Sequence, residues 1–129
     1  MKDETKVWME YAEENYKSAK VLLNSKLFNP CLQNIQQSIE KSLKAILIEN
    51  SLELKKTHSI SELKQIIEEN KLFIVAITDD DCDFLDSIYL PSKYPLMSVL
   101  PDFEPNEDIC DKGILFVEQV LEQIKKILT

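Results

Sequence analysis

Apolar side chains recur every three to four residues along most of this chain, which is the period of an amphipathic helix. The pattern predicts a first helix over residues 5–24, with Thr5 as its N-cap. Its apolar face comprises Trp8, Tyr11, Ala12, Ala19, Leu22 and Leu23. Asn15 falls on the same face. This position is typical of a boundary residue or a satisfied buried amide, and it also leaves Asn15 as a candidate for ligand binding.

A second helix is predicted over residues 30–50, because Asn29 and Pro30 form a typical N-cap and first helical residue. Its core face comprises Leu32, Ile35, Ile39, Leu43 and Ile46, and a neighbouring polar face comprises Gln33, Gln37, Glu40 and Lys44. Glu40 and Lys44 have the spacing and order of a favourable i,i+4 ion pair. Spacing alone favours a solvated surface for this polar stripe.

A third helix is predicted over residues 59–70, where Ser59 and Glu62 have the spacing of a capping box. Its inward positions are Ile60, Leu63 and Ile67. His58 directly precedes the cap, and packing against it is the simplest interpretation of this side chain. Residues 72–77 are continuously apolar. We interpret them as a buried connector, because a single strand would have no partner here.

The C-terminal third predicts two more helices, over residues 79–89 and 106–128. Thr78 suits the N-cap of the first, and the three aspartates that follow suit its first turn better than a metal site. Between the helices, Pro91, Pro95, Pro101 and Pro105 predict about fifteen residues outside regular helix. Gly113 lies inside the last apolar face, which indicates a close approach to another helix. That face comprises Ile109, Gly113, Phe116, Val120, Ile124 and Ile127.

These elements predict one all-α domain over residues 1–129. It is expected to be an antiparallel up-and-down bundle of four to five helices, with a Pro-rich loop before the last one. The chain has a single glycine and is 44% hydrophobic, which favours a helical core over disorder. No apolar run approaches membrane-spanning length, and the charged N-terminus lacks the apolar core of a signal peptide. We therefore expect a cytoplasmic protein without membrane association.

Charge and cysteine content argue against two kinds of binding site. The formal net charge of −8 disfavours binding of free nucleic acid. Cys31, Cys82 and Cys110 are far apart in sequence, with His58 as the one histidine, so a zinc site is not expected. No cofactor is expected either.

Four features, in order, resemble the HEPN domain family. Trp8 matches a tryptophan of the family's first helix, and Gln37, Glu40, Lys41, Lys44 and Ala45 match a Gln-x-x-Glu-Lys-x-x-Lys-Ala run on its second. His58-Ser59-Ile60 matches a histidine before a short helix. Tyr89-Leu90-Pro91-Ser92-Lys93-Tyr94-Pro95 resembles a Tyr-Ile-Pro-Thr-Arg-Tyr-Pro-like segment. The resemblance implies a helical bundle that dimerises and that often acts beside a minimal nucleotidyltransferase in a toxin–antitoxin-like module.

One departure bears on catalysis. The chain contains no arginine, so the Arg-x(4–6)-His motif of HEPN ribonucleases is missing. Lys93 stands at the arginine position and can attract phosphate, but it lacks the guanidinium fork. Residues 97–100 contain no histidine that could act as a general base.

Three functions follow from the resemblance and its departure. The first is a non-catalytic subunit that binds a nucleotide or pairs with a nucleotidyltransferase. Its binding residues would be Lys93, Tyr89, Tyr94, Gln37, Glu40, Lys44, Asn15 and His58. The second is a homodimerising structural adaptor without a ligand, in which the tyrosines pack and Lys93 is solvated. The third is a divergent ribonuclease, which the missing arginine and the acidic charge disfavour.

Overall fold

Five α-helices form the described part of the protein. The computed structural model describes residues 1–54, 56–93 and 104–129, with the side chains of residues 89–93 left out. The helices are α1 Asp3–Asn24, α2 Phe28–Glu49, α3 Ile60–Glu69, α4 Asp79–Lys93 and α5 Glu107–Leu128. Across these ranges the structure contains no strand. The predicted all-α bundle is therefore confirmed.

Helix α2 lies at the centre of the bundle and packs against the other four helices. It buries the predicted core face completely, and Ser38, Ala45 and Leu47 on other faces are buried as well. Such burial around most of its circumference is typical of a helix enclosed by neighbours. Within the described residues, none of the helices is both long and apolar enough to cross a lipid bilayer.

Contacts between named residues give the helix directions. Thr5 bonds to Glu49 and Asn15 bonds to Asn34, so α1 and α2 are antiparallel. Phe28 contacts Cys110. A side chain at Gly113 would meet Ile35. These two pairs advance together along the chain, so α2 and α5 are parallel.

The helix starts differ from the sequence prediction at two places. Helix α1 begins at Asp3, and Thr5 is a buried helical residue whose hydroxyl donates to Glu49 Oε1 at 2.9 Å. Helix α2 begins at Phe28, which places Pro30 at the third helical position. A proline is tolerated there because the first four N–H groups of a helix have no intrahelical partner.

Other predicted starts are confirmed. Ser59, Thr78 and Asn106 each accept a hydrogen bond from the backbone N–H three residues later, at 2.9–3.1 Å. In the connector, Val75 and Ile77 are buried, although Ile74 is 73% exposed. Tyr11 and Ile127 were predicted to be in the core but are 50% and 45% exposed, because each lies at the edge of its apolar face.

Helix α4 continues four residues past its predicted end and includes Pro91. A proline inside a helix removes the bond to the carbonyl four residues earlier and disturbs the preceding turn. Pro91 lies in the last turn of α4, where few further bonds depend on it. The remainder of the predicted Pro-rich loop, residues 94–103, lies outside the described residues.

The ends of α1, α2 and α3 share one backbone pattern. Each is followed by a residue with positive φ, namely Lys26 at 58°, Ser51 at 56° and Lys71 at 55°. The next residue then donates back to the helix, as Leu27 does to Leu22 and Leu72 does to Ile67. This is a Schellman ending, whose left-handed position glycine fills at least cost.

Candidate functional site

A carboxylate on α2 brings together three side chains from two parts of the chain. Glu40 Oε2 accepts from Lys44 Nζ at 3.0 Å, and Glu40 Oε1 lies 2.9 Å from His58 Nδ1. Gln36 Nε2 donates to Glu40 Oε1 at 3.2 Å and to the His58 carbonyl at 2.6 Å. We call these four residues the Glu40 cluster.

Most of the Glu40 cluster is buried. Glu40 and Lys44 are 6% and 7% exposed, and Gln36 is fully buried. The prediction of a solvated polar stripe is therefore wrong for Glu40 and Lys44. The residues that precede α3 approach this face of α2, as the contacts from His58 to Gln36 and Glu40 show. A buried carboxylate needs such donors, because its desolvation is costly unless it is paired.

His58 is the exposed member of the cluster, with 67% of its side chain accessible. Its ring bonds to Glu40, a contact that the predicted packing against the α3 cap did not include. Its own carbonyl and the residue that follows it are both held by other helices. The His58 carbonyl is held by Gln36, and the next residue, Ser59, bonds through its hydroxyl to Asp86 on α4 at 2.9 Å.

Asp86 anchors the start of α3. Its carboxylate accepts from the backbone N–H groups of Ile60 and Ser61 at 2.8 and 3.1 Å, in addition to the Ser59 hydroxyl. A negative charge at this point is favoured by the helix dipole and by the unpaired N–H groups of the first turn. Asp86 thus fixes the position of His58 relative to α4.

The bond to Glu40 determines which nitrogen of His58 carries a proton. An ionised carboxylate can only accept, so Nδ1 is protonated in this contact. In the neutral ring Nε2 then keeps its lone pair, and in the charged ring both nitrogens are donors. The cluster can therefore accept a proton at Nε2 or, once charged, donate a hydrogen bond to an anion.

Asn15 bonds to residues outside the Glu40 cluster. Its amide donates to Asn34 Oδ1 at 2.9 Å and accepts from Lys41 Nζ at 2.9 Å, which links α1 to α2. These contacts match the interpretation as a satisfied amide. Gln37 is partly buried on α2, one turn before Glu40.

The other predicted binding residues fall at the end of α4 and beyond it. Tyr89 and Lys93 belong to α4, but their side chains lie outside the described part of the structure. Tyr94 lies outside the described residues altogether. Asp86 is seven residues before Lys93 on the same helix, which corresponds to about 10 Å along the helix axis.

Two residues of the site were missed in the sequence. Gln36 is four residues before Glu40, so an i,i+4 contact could have been considered. Asp86 carried no comparable signal, because its partners lie more than twenty residues away along the chain.

The acidic turn of α4 serves capping and ion pairing. Asp81 and Thr78 bond reciprocally through their side chains and backbone N–H groups, each at 3.1 Å. Asp79 accepts from Lys64 Nζ at 2.7 Å, and this hydrogen bond raises the pKa of Lys64. Among the described residues, no group of three or more histidine, cysteine or acidic side chains is placed to hold a metal ion.

Comparison with known proteins places these features in a family. The family profile of the HEPN domain matches residues 5–127. A protein of Methanocaldococcus jannaschii named "Putative toxin MJ0605" is 27% identical over 128 residues, which cover 99% of this chain and 94% of that protein.

Two solved structures have the same fold. The crystal structure of ST0689, an archaeal HEPN homologue, aligns over all of both chains with a TM-score of 0.72 and 25% identity. The crystal structure of TT1696 from Thermus thermophilus aligns over 98% of this chain and 99% of its own, with a TM-score of 0.78 and 18% identity. The profile match spans nearly the whole chain and the bundle agrees with it, so this protein belongs to the HEPN family.

Proposed function

We propose that the chain is the non-catalytic HEPN subunit of a toxin–antitoxin-like module, and that it binds a nucleotide, alone or with a nucleotidyltransferase partner. The observation that carries the proposal is the Glu40 cluster, in which a buried carboxylate, paired with a buried ammonium, holds an exposed imidazole in place. The name of the M. jannaschii relative supports the toxin class.

A protonated His58 would give the cluster a positive charge for a phosphate group. Glu40 and Lys44 neutralise each other, so a protonated His58 adds one net positive charge at the surface. A charge-assisted hydrogen bond from an imidazolium to a phosphate oxygen is stronger than a neutral one. Lys93 is the second proposed phosphate contact, and Tyr89 and Tyr94 would supply stacking surface for a base.

The missing arginine is the reason for proposing binding without cleavage. The family's ribonuclease motif requires an arginine, and the chain has none. With a formal net charge of −8, the protein would also repel a long polyanion more strongly than a single nucleotide.

Titration calorimetry with ATP, ADP and AMP tests the proposal, both alone and with a co-expressed nucleotidyltransferase. Lys93→Ala is expected to weaken binding by about 1–2 kcal/mol, the scale of a charge-assisted hydrogen bond. His58→Ala should weaken it similarly. Raising the salt concentration should weaken binding to the native protein more than to either variant. Salt screens the charge–phosphate contact, and each variant has already lost one such contact.

The matched control is Lys126→Ala. This lysine is exposed on α5 and pairs with Glu122 at 3.2 Å, far along the chain from the cluster. It should leave nucleotide affinity unchanged. If no nucleotide binds in either setting, or if both site variants bind like the control, the chain is a structural adaptor.

We also propose that the subunit is a homodimer. Val7, Tyr11 and Val21 are 43–64% exposed and fall in one stripe along α1, which is a suitable surface for self-association. Light scattering at micromolar concentration should give twice the mass of the chain. A strict monomer would contradict the dimer without affecting the nucleotide proposal.

One observation favours a second candidate, a divergent ribonuclease. Glu40 orients His58 so that the neutral ring keeps its lone pair at Nε2, as a general base requires. Cleavage of RNA by repurified protein that is lost in both His58→Ala and Glu40→Gln would favour this candidate. Cleavage that survives in His58→Ala would exclude His58 as the base.

A further inference from the structure

Two cysteines distant in sequence meet where α2 and α5 begin. Cys31 is the fourth residue of α2 and Cys110 the fourth of α5, and both are fully buried. Cys110 Sγ lies 3.7 Å from the carbonyl oxygen of Phe28. Because a helical carbonyl lies beside the side chain three residues later, this contact puts the sulfur of Cys110 next to Cys31.

Helices α2 and α5 are also in contact one turn beyond the cysteines. A Cβ added to Gly113 would lie 2.8 Å from Cδ1 of the Ile35 side chain. The glycine therefore leaves room for Ile35 to pack against α5. A disulfide requires Cα atoms about 4.4–6.8 Å apart, which neighbouring helices reach only where they pack unusually closely.

The two thiols differ in acidity. Their mutual hydrogen bond lowers the pKa of the Cys31 thiol and, together with burial, raises the pKa of Cys110. The thiolate is the nucleophile in disulfide exchange, and thiolates are favoured near a helix N-terminus. Both cysteines lie in the first turn of a helix, and the lowered pKa of Cys31 makes it the attacking residue and Cys110 the resolving one.

We propose that Cys31 and Cys110 are a redox modification site that forms a reversible disulfide between the starts of α2 and α5. When the first turns of α2 and α5 open to solvent, the Cys31 thiolate attacks a small-molecule disulfide such as oxidised glutathione, forms a mixed disulfide and releases one thiolate. Cys110 then loses its proton to solvent and attacks the Cys31 sulfur, which expels the second thiolate. The protein loses two electrons and two protons, and the small-molecule disulfide gains them as two thiols.

The disulfide would fix the N-terminal turn of α5. Residues 104–106 lead directly into α5, and Cys110 is one turn further on. Oxidation would therefore hold that entry against the start of α2. This proposal is independent of nucleotide binding, because neither cysteine belongs to the Glu40 cluster.

The test is oxidation of the full chain in native buffer with oxidised glutathione, followed by alkylation and mass spectrometry. We expect a single chain, not crosslinked to another, that has lost two hydrogens, and a proteolytic fragment in which Cys31 is linked to Cys110. The linked protein should melt about 10 °C higher, because the bond closes a loop of roughly 80 residues. Dithiothreitol should reverse both changes.

Cys82 provides the internal control. It is buried on α4, and burial raises its pKa to about 12. Cys82→Ala should form the disulfide like the native chain, whereas Cys31→Ala and Cys110→Ala should not. If a cysteine variant does not fold, the fragment map of the native chain still shows whether Cys31 is linked to Cys110. The proposal is overturned by a link that forms only in urea, by links that involve Cys82, by mixed or intermolecular disulfides alone, or by a linked form that melts no higher than the reduced one.

Discussion

Replacing Glu40 with alanine should destabilise the protein by about 3–5 kcal/mol, the cost of leaving a buried charge without its partner. Lys44 is 7% exposed, so its ammonium cannot simply turn to water when the carboxylate is removed. Gln36, which is fully buried, would lose one of its two acceptors as well. An exposed ion pair of the same i,i+4 spacing contributes only about 0.3–0.5 kcal/mol.

Replacing a partner of Glu40 should destabilise the protein less than replacing Glu40 itself, and less for His58 than for Lys44. Lys44→Ala leaves the carboxylate with two donors, His58 Nδ1 and Gln36 Nε2, so we expect about 1–3 kcal/mol. His58→Ala should cost less than about 1 kcal/mol, because the ring is 67% exposed. Replacing both charges at once, with Glu40→Leu and Lys44→Met, should restore most of the stability lost in Glu40→Ala.

Urea unfolding followed by far-ultraviolet circular dichroism measures these differences as shifts in midpoint at constant slope. Lys126→Ala is the control, since this lysine and its partner Glu122 are 75% and 71% exposed. It should change the stability by less than about 0.5 kcal/mol. A Glu40→Ala protein that unfolds at the same midpoint as the control would show that Glu40 and Lys44 are solvated, and would refute the burial argument.

Three further predictions test the packing, the titration and the helix ends. Gly113→Ala should destabilise the chain by about 1–2 kcal/mol in the same urea assay, because the new methyl meets Ile35. In an Ile35→Val background the same change should be neutral or stabilising, and equal effects in both backgrounds would exclude the clash. Burial and a hydrogen bond to Glu118 raise the pKa of Tyr16 to about 12. The stabilisation from this group should be complete below about pH 10, the tyrosine value in the unfolded chain, and lost as pH rises to 12. Tyrosinate absorbance should therefore show one late-titrating ring that is missing in Tyr16→Phe, and an unchanged titration in that variant would contradict the assignment. Lys71→Gly should stabilise the chain by about 1 kcal/mol, because its φ is 55°, and a lower melting temperature would contradict this.

The helices could be predicted from the sequence because their signals are local. The apolar period along α2 identified Leu32, Ile35 and Leu43 as core, and all three are buried. The caps at Ser59 and Asn106 depend on residues only three positions apart, so they were also predictable. The start of α2 was harder to predict, because Asn29 and Pro30 are compatible with more than one position in a first turn.

The Glu40 cluster was only partly predictable. The sequence brought Glu40 and Lys44 together by their spacing, and it singled out His58 by resemblance. It could not predict that they share a site, because the bond from Glu40 to His58 spans eighteen residues and depends on how the chain returns to α2. Burial of the pair has the same origin, since an i,i+4 pattern looks identical whether or not another segment covers it.

Asp86 gives the protein a mechanical connection between α4 and the imidazole of His58. Its carboxylate accepts hydrogen bonds from the backbone at the start of α3, shortly after His58, and it belongs to the helix that ends at Lys93. A rigid displacement of α4 would therefore be transmitted through Asp86 to the histidine and strain its bond to Glu40. A ligand or partner that displaces the C-terminal end of α4 would therefore also displace the imidazole, although the two sites are about two helical turns apart along α4.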